Sequence, residues 1–336
     1  MCCLFGLIDV KHQLSGSEKN RIISILAEAS EARGTDATGF ACNSQGKLII
    51  EKQPLPAHRM KFRIPKDAYV VMGHTRMTTQ GNAQKNKNNH PFLGYVKDMP
   101  FALAHNGVLS NDTSLRKNHG LPRTKIETDS YVAVQLIEKQ NSLNLDSIKY
   151  MAEQVKGTFN FTILDRSNRL YIVKGNNPLC LYYFKKQGFM LYASTQPILE
   201  DALAEMGYGF LSHEEVKVSD GEILVIDANG TITRDHFTAP VSAYHFPLYD
   251  YWEPAKETLT GYQKYMMDYA VTIGIPKKEV DWLQCAGYHI CDIEEAIFSS
   301  SYRSMLLMES GYYDEQEDEL YNYEFDYDYF KNYAWT

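Results

Sequence analysis

Nowhere in the 336-residue chain is there an apolar run of about 18 residues, so no transmembrane helix is expected. The start lacks a basic stretch followed by an apolar one, which argues against a secretory signal. The six cysteines, Cys2, Cys3, Cys42, Cys180, Cys285 and Cys291, follow neither a disulfide framework nor metal-ligand spacing. They read as reduced thiols of a cytoplasmic protein. Cys285 and Cys291 lie close together but lack a second pair to complete a zinc site. Composition excludes little else. Hydrophobic residues make up 44% and charged residues 23%, as in ordinary globular proteins, and the length allows one large domain plus a small one.

What the sequence does have begins at its second residue. The chain opens Met1-Cys2-Cys3-Leu4-Phe5-Gly6. Methionine aminopeptidase tolerates a small second residue, so Cys2 can become the mature terminus. A terminal cysteine carries a thiol and a free α-amine on one residue, with ordinary pKa values of about 8.5 and about 7.7–8.0. Near neutral pH the amine can serve as base for the thiol, an established form of nucleophile activation. Alone, such a cysteine is better explained as an inert residue.

Four further segments follow in order: Arg33-Gly34-Thr35-Asp36-Ala37-Thr38-Gly39, Gly73-His74-Thr75-Arg76-Met77-Thr78-Thr79-Gln80-Gly81, Ala104-His105-Asn106-Gly107-Val108 and Glu127-Thr128-Asp129-Ser130. With Cys2-x-Leu4-Phe5-Gly6 they closely resemble the class II glutamine amidotransferase domain, an N-terminal-nucleophile (Ntn) glutaminase. The nearest types are those of PRPP amidotransferase and glucosamine-6-phosphate synthase. The resemblance continues more weakly through Gly157-Thr158-Phe159, Asn177-Pro178-Leu179 and Ala193-Ser194-Thr195, and ends near Asp235.

The residue types suit that chemistry. Glutamine is a zwitterion with a distal carboxamide, so its pocket needs a cation, an anion and a nucleophile. Arg76 offers a planar fork for the α-carboxylate, and Asp129 offers the counter-charge for the α-ammonium. Asn106 and the Gly107 N–H are suited to an oxyanion. The resemblance implies these roles, with Cys2 as nucleophile. It also implies an acyl transfer through a γ-glutamyl thioester that needs no metal or organic cofactor. Other readings stand beside these. His105-Asn106-Gly107 also fits a hairpin turn. Arg33 either holds the N-terminal segment or braces the fold. Thr79 either touches substrate or packs. Met77 stands where the family often has Trp or Tyr, and Gln80 where His is frequent, on the segment that usually helps cover glutamine.

Short strands are expected over 47–50, 68–72, 101–104, 159–164 and 169–173, separated by turn residues such as Ser44-Gln45-Gly46 and Asp227-Ala228-Asn229-Gly230. Amphipathic helices are expected over 19–32 and 129–139. This is an α+β antiparallel pattern, and the resemblance implies a four-layer αββα sandwich over residues 2–238. A small helical appendage is expected over 239–311. Within it Leu259, Tyr262, Met266, Tyr269 and Ile273 keep helical spacing, Pro276 fits a first turn, and Asp292 with Glu295 begins a third helix. Asp292, Glu294 and Glu295 would repel phosphates, so no nucleic-acid partner is expected. The tail, 312–336, holds eight carboxylates against Lys331 alone, with seven tyrosines among them. It reads either as a docking segment for a basic surface or as a solubilising tail.

About a hundred residues after Asp235 are too few for the synthase usually fused to such a domain, and they show no nucleotide signature. The expected function is therefore release of ammonia from L-glutamine for a separate acceptor enzyme. The nearest kind is the stand-alone member found in bacteria and large phages. Two alternatives are a silent glutaminase fold used for protein interaction and an Ntn hydrolase of another amide.

Overall fold

Alternate residues of the first strand face two different cores. Cys3, Phe5 and Leu7 enter one cluster, and Leu4 and Ile8 enter another. Every residue of the strand is therefore buried, and its sequence reads as a continuous apolar run without alternation. The computed structural model describes residues 2–238 and 269–312, apart from Gly287 and His289. These fall into two units, one within Met1–Tyr251 and one within Trp252–Thr336.

The first unit runs β1 (Cys3–Ile8), α1 (Gly16–Ala29), β2 (Ala37–Ser44), β3 (Lys47–Gln53), β4 (Val70–Arg76), β5 (Phe92–Val96), β6 (Met99–Leu109) and α2 (Asp112–Asn118). It continues with α3 (Tyr131–Lys139), α4 (Leu145–Gln154), β7 (Gly157–Asp165), β8 (Leu170–Lys174), β9 (Cys180–Phe184) and β10 (Phe189–Ala193). It closes with α5 (Gln196–Glu205), β11 (Glu214–Glu215), β12 (Glu222–Ile226) and β13 (Ile232–His236). Two antiparallel sheets result, ordered β11-β9-β10-β1-β4-β2-β3 and β13-β12-β8-β7-β6-β5.

Three apolar layers separate four layers of structure. Ile22, Ile23 and Leu26 of α1 and Leu199 and Leu203 of α5 pack on the outer face of the first sheet. Leu4, Ile8 and Met72 meet Ala102, Ala104, Leu164 and Ile172 between the sheets. Val132, Leu136 and Ile137 of α3 and Ile148 and Met151 of α4 cover the second sheet. This is the αββα sandwich.

Local signals explain most element ends. Ser15 caps α1, its hydroxyl accepting from Glu18 N while the Glu18 carboxylate reaches back, a capping box that starts the helix three residues before Lys19. Positive φ at Gln45 and Gly46 closes the β2–β3 hairpin where turn chemistry was expected. The alternative hairpin reading falls away. His105-Asn106-Gly107 is no turn but the interior of the eleven-residue β6, paired to Phe161, Asn160 and Phe159 of β7. Burial of the flanking residues on both faces overrides the Asn-Gly turn preference.

In the second unit, α6 (Lys277–Cys285), α7 (Ile290–Phe298) and α8 (Ser300–Glu309) share an apolar cluster of Val280, Leu283, Ile293, Ile297, Leu306 and Leu307. Pro276 stands as the N-cap of α6, just outside the first turn. The third expected helix begins at Ile290 and is broken at Ser299, whose hydroxyl accepts from Tyr302 N at 3.2 Å and starts α8. Leu259, Tyr262, Met266 and residues 313–336 of the acidic tail lie outside the described residues. Among the described residues no helix is long and apolar enough to cross a membrane.

Candidate active site

Cys2 precedes β1, and three backbone contacts fix its segment. Arg33 Nε donates to the Cys2 carbonyl at 3.0 Å. Leu4 N donates to Ser194 Oγ at 2.8 Å. Cys3 pairs with Thr75 of β4. Arg33, fully buried in the short 3-10 turn Ser30–Arg33 after α1, thus holds the N-terminal segment itself.

The next residue, Gly34, presses on the end of β4. A Cβ there would sit 2.4 Å from the Arg76 carbonyl carbon, so only glycine fits. Asp36 N donates to Arg76 O at 2.9 Å, and Thr78 N donates to Asp36 Oδ2 at 2.7 Å. The Arg33–Asp36 segment therefore braces both the nucleophile strand and the turn that follows Arg76.

Arg76 is 3% exposed. Its Nη1 donates to Asn89 Oδ1 and its Nη2 to Gln80 O, both at 2.6 Å. Asn89 is held in turn by Nδ2 donation to Ala83 O at 2.8 Å. Lys85 Nζ at 2.5 Å and Asn88 Nδ2 at 3.0 Å both bind the Glu127 carboxylate, pinning the same loop to the segment that carries Asp129. Two of the five guanidinium N–H groups are thus spent on orientation. Thr79 is exposed on the turn. Beside it an open groove of roughly 620 Å³, lined by Asp36, Leu55, Arg59, Thr78 and Asn82 among others, includes none of Cys2, Arg76, Asn106 or Asp129.

Asp129 is buried just ahead of α3, where its Oδ2 accepts from Leu109 N at 2.6 Å. Asn106 and Gly107 lie three and two residues upstream of Leu109 on β6. Asn106 donates from Nδ2 to Ser194 Oγ at 3.1 Å, and its carbonyl accepts from Asn177 Nδ2 at 2.8 Å. Gly107 has φ +142°, and a Cβ would fall 1.9 Å from Thr158 O, so close strand approach also requires glycine here.

The electrostatics join these residues. Burial pushes the Cys2 thiol up from its ordinary range; Arg76 opposes that shift and Asp129 adds to it. Burial likewise lowers Arg76, against the pull of Cys2, Asp36 and Asp129. Cys2, Arg76 and Asp129 therefore lie within one another's fields. The Cys2 Sγ contacts Met77 O at 3.6 Å.

Residues 74–201 match the family described as the glutamine amidotransferase domain. The curated relatives include a glutamine–fructose-6-phosphate aminotransferase (isomerizing) of Listeria monocytogenes, 29% identical over 71% of this chain and 36% of the relative. A 7-cyano-7-deazaguanine synthase of Saccharolobus solfataricus is 29% identical over 54% of this chain and 40% of its own length. A glutamine PRPP amidotransferase structure from B. subtilis superposes with a TM-score of 0.56 at 23% identity, covering 71% of this chain and 50% of that one. The chain carries a class II glutamine amidotransferase domain. It spans well under half the length of these curated relatives.

Behind Arg76 the domain buries three histidines. His74 Nε2 donates to His105 O at 3.0 Å, His90 lies 4.2 Å from the His74 ring, and His105 Nδ1 meets Ser130 Oγ at 2.8 Å. Burial lowers all three, with His74 brought down to about 3. Such groups are neutral when folded and take up protons on unfolding below pH 6.5. Stability is therefore expected to fall as pH drops from about 6.5 towards 3, with His74 alone contributing a loss of about 2 kcal/mol by pH 5. Urea midpoints at pH 7 and pH 5 measure this; equal midpoints would contradict it.

Sequence reasoning missed Asn89 and the roles of Ser194 and Asn177. Ser194 and Asn177 lie in the weaker matching segments quoted above. Nothing in the local pattern around Asn89 marked it.

Proposed function

We propose that this domain hydrolyses the side-chain amide of L-glutamine with Cys2 as nucleophile. The observation that carries the reading is a buried Cys2 thiol lying in the opposing fields of Arg76 and Asp129. An amino-acid zwitterion matches that pair of charges, and the relatives' names support glutamine as the zwitterion.

In this reading removal of Met1 frees the Cys2 α-amine. Burial keeps the thiol protonated at neutral pH, so it needs a base, and the amine takes its proton. The sulfur attacks the amide carbon, and the carbonyl oxygen becomes an oxyanion facing Asn106 Nδ2 and Gly107 N–H. The ammonium returns its proton to the leaving nitrogen, the C–N bond breaks, and ammonia departs from a γ-glutamyl thioester. Water, deprotonated by the same amine, attacks the thioester; glutamate leaves and the thiol is restored. Arg76 holds the α-carboxylate, Asp129 the α-ammonium, and Thr79 lies on the covering turn. The ammonia goes to a separate acceptor enzyme.

Intact mass and glutamine-dependent ammonia release, measured on one preparation, test this. The expected result is a mass short by one methionine, equal yields of ammonia and glutamate, and labelling of Cys2 by a glutamine-like diazoketone. A folded protein that retains Met1 and releases no ammonia would instead support the protein-interaction reading.

A further inference from the structure

The strand ladder between β1 and β10 ends at Phe5 and Ala193. One residue further along, Leu4 turns its N–H towards the β10 side, where no strand carbonyl receives it. The hydroxyl of Ser194 receives it instead, at 2.8 Å. The same oxygen accepts from Asn106 Nδ2 at 3.1 Å. Asn106 belongs to the second sheet, whereas Leu4 and Ser194 belong to the first or directly follow it. A single buried oxygen thus bridges the two sheets, joining the strand that carries the nucleophile to the side chain that faces the reacting carbonyl.

The bridge fixes more than distance. A carboxamide has two nearly isosteric orientations, one presenting NH2 and the other presenting oxygen. The Leu4 N–H occupies part of the Ser194 oxygen, and Asn106 donates one proton of Nδ2 to the remainder. The second Nδ2 proton stays available. The opposite orientation would present Oδ1 to an oxyanion, which repels it. Asn106 Oδ1 is buried and has no hydrogen-bond partner among the described residues, so Ser194 Oγ is the side-chain partner that holds Nδ2 in this orientation. Asn177 Nδ2 donates to the Asn106 carbonyl, on the backbone, while Ser194 meets the side chain.

We propose that Ser194 is a positioning residue: its hydroxyl holds the Asn106 amide with NH2 towards the oxyanion and sets the spacing between that donor and Cys2. This rests on the glutaminase reading above. Loss of an oxyanion donor itself costs about 10²–10³ in rate, so misorienting the donor costs somewhat less.

The test compares wild type, Ser194→Ala and Ser194→Thr by steady-state glutamine hydrolysis, thermal melting, and inhibition by two ligands. Glutamate reports ground-state binding. Glutamate γ-semialdehyde adds the thiol to form a tetrahedral thiohemiacetal, which needs the oxyanion donor. In Ser194→Ala, kcat is expected to fall about tenfold to a hundredfold, with semialdehyde inhibition weakened by a similar factor. KM and glutamate inhibition should stay within about threefold, and Ser194→Thr, which keeps the hydroxyl, should recover most of the rate. An unchanged kcat in Ser194→Ala would overturn the assignment. So would equal losses for glutamate and semialdehyde, because a merely structural role moves both. If Ser194→Ala fails to fold, a folded Ser194→Thr with no recovered semialdehyde affinity overturns it too. A wild type that neither hydrolyses glutamine nor binds the semialdehyde removes the glutaminase reading itself and this inference with it.

Discussion

Replacing Cys2 by alanine is expected to lower glutamine-dependent ammonia release by about 10⁴-fold or more, while Cys3→Ala stays within about twofold of wild type. The two thiols are neighbours in sequence, but they face opposite ways. Cys2 feels Arg76 and Asp129 and lies against Met77 O. Cys3 points into the outer apolar cluster with Phe5 and Leu7, fully buried, its Sγ against Leu4 O at 3.4 Å. It neither meets solvent nor gains an α-amine when Met1 is removed. Its truncation deletes one small buried group and costs about 1 kcal/mol of stability. The Cys2 variant should melt close to wild type, because Arg33 grips the backbone carbonyl and not the thiol. Ammonia assays on both variants check the pair. Activity surviving in Cys2→Ala and lost in Cys3→Ala would reverse the assignment.

The second large effect is expected at Arg76. Lysine keeps the charge, yet kcat/KM for glutamine should fall by about 10²–10³, mostly through KM. The guanidinium satisfies Asn89 Oδ1 and Gln80 O at 2.6 Å each and still presents coplanar N–H groups to a carboxylate. An ammonium has three protons on one atom and no plane. It must leave either the loop or the substrate partly unbonded, and each hydrogen bond to a charged group is worth about 1.5–3 kcal/mol. Losing one or two of them gives the stated range. Steady-state kinetics with glutamine and, separately, with an analogue lacking the α-carboxylate decide the matter. A lysine variant with unchanged KM would place the carboxylate elsewhere.

Much of this site was legible because its residues sit in contiguous motifs. Gly73-His74-Thr75-Arg76 is the end of a strand, and the following turn is chained to it by Asp36. The resemblance implies one site for Cys2, Arg76, Asn106 and Asp129, and Cys2, Arg76 and Asp129 lie within one another's fields. Arg33 remained open between two roles until its Nε was found on the Cys2 carbonyl. What stayed hidden, and the rival turn reading, have physical causes. Asn-Gly at 106–107 carries a local turn preference, which pairing to β7 on one side and burial on both faces overrule. Ser194 acts on residues 88 and 190 positions away, a separation over which no periodicity carries information. Helices α2, α4 and α5 were not among the expected elements. The break at Ser299 was lost inside a helical pattern that continued on both sides of it.

The place of β1 has a consequence for timing. It lies between β4 and β10, and Phe5 cannot find its partner Ala193 until that residue has left the ribosome. At about 5–20 residues per second, that takes roughly 10–40 s. Through this interval the first strand has half a berth, and the start of the chain remains open to an aminopeptidase. Once β10 docks, Cys2 is nine-tenths enclosed. On the proposed function, removal of Met1 is therefore expected during synthesis, before β10 docks.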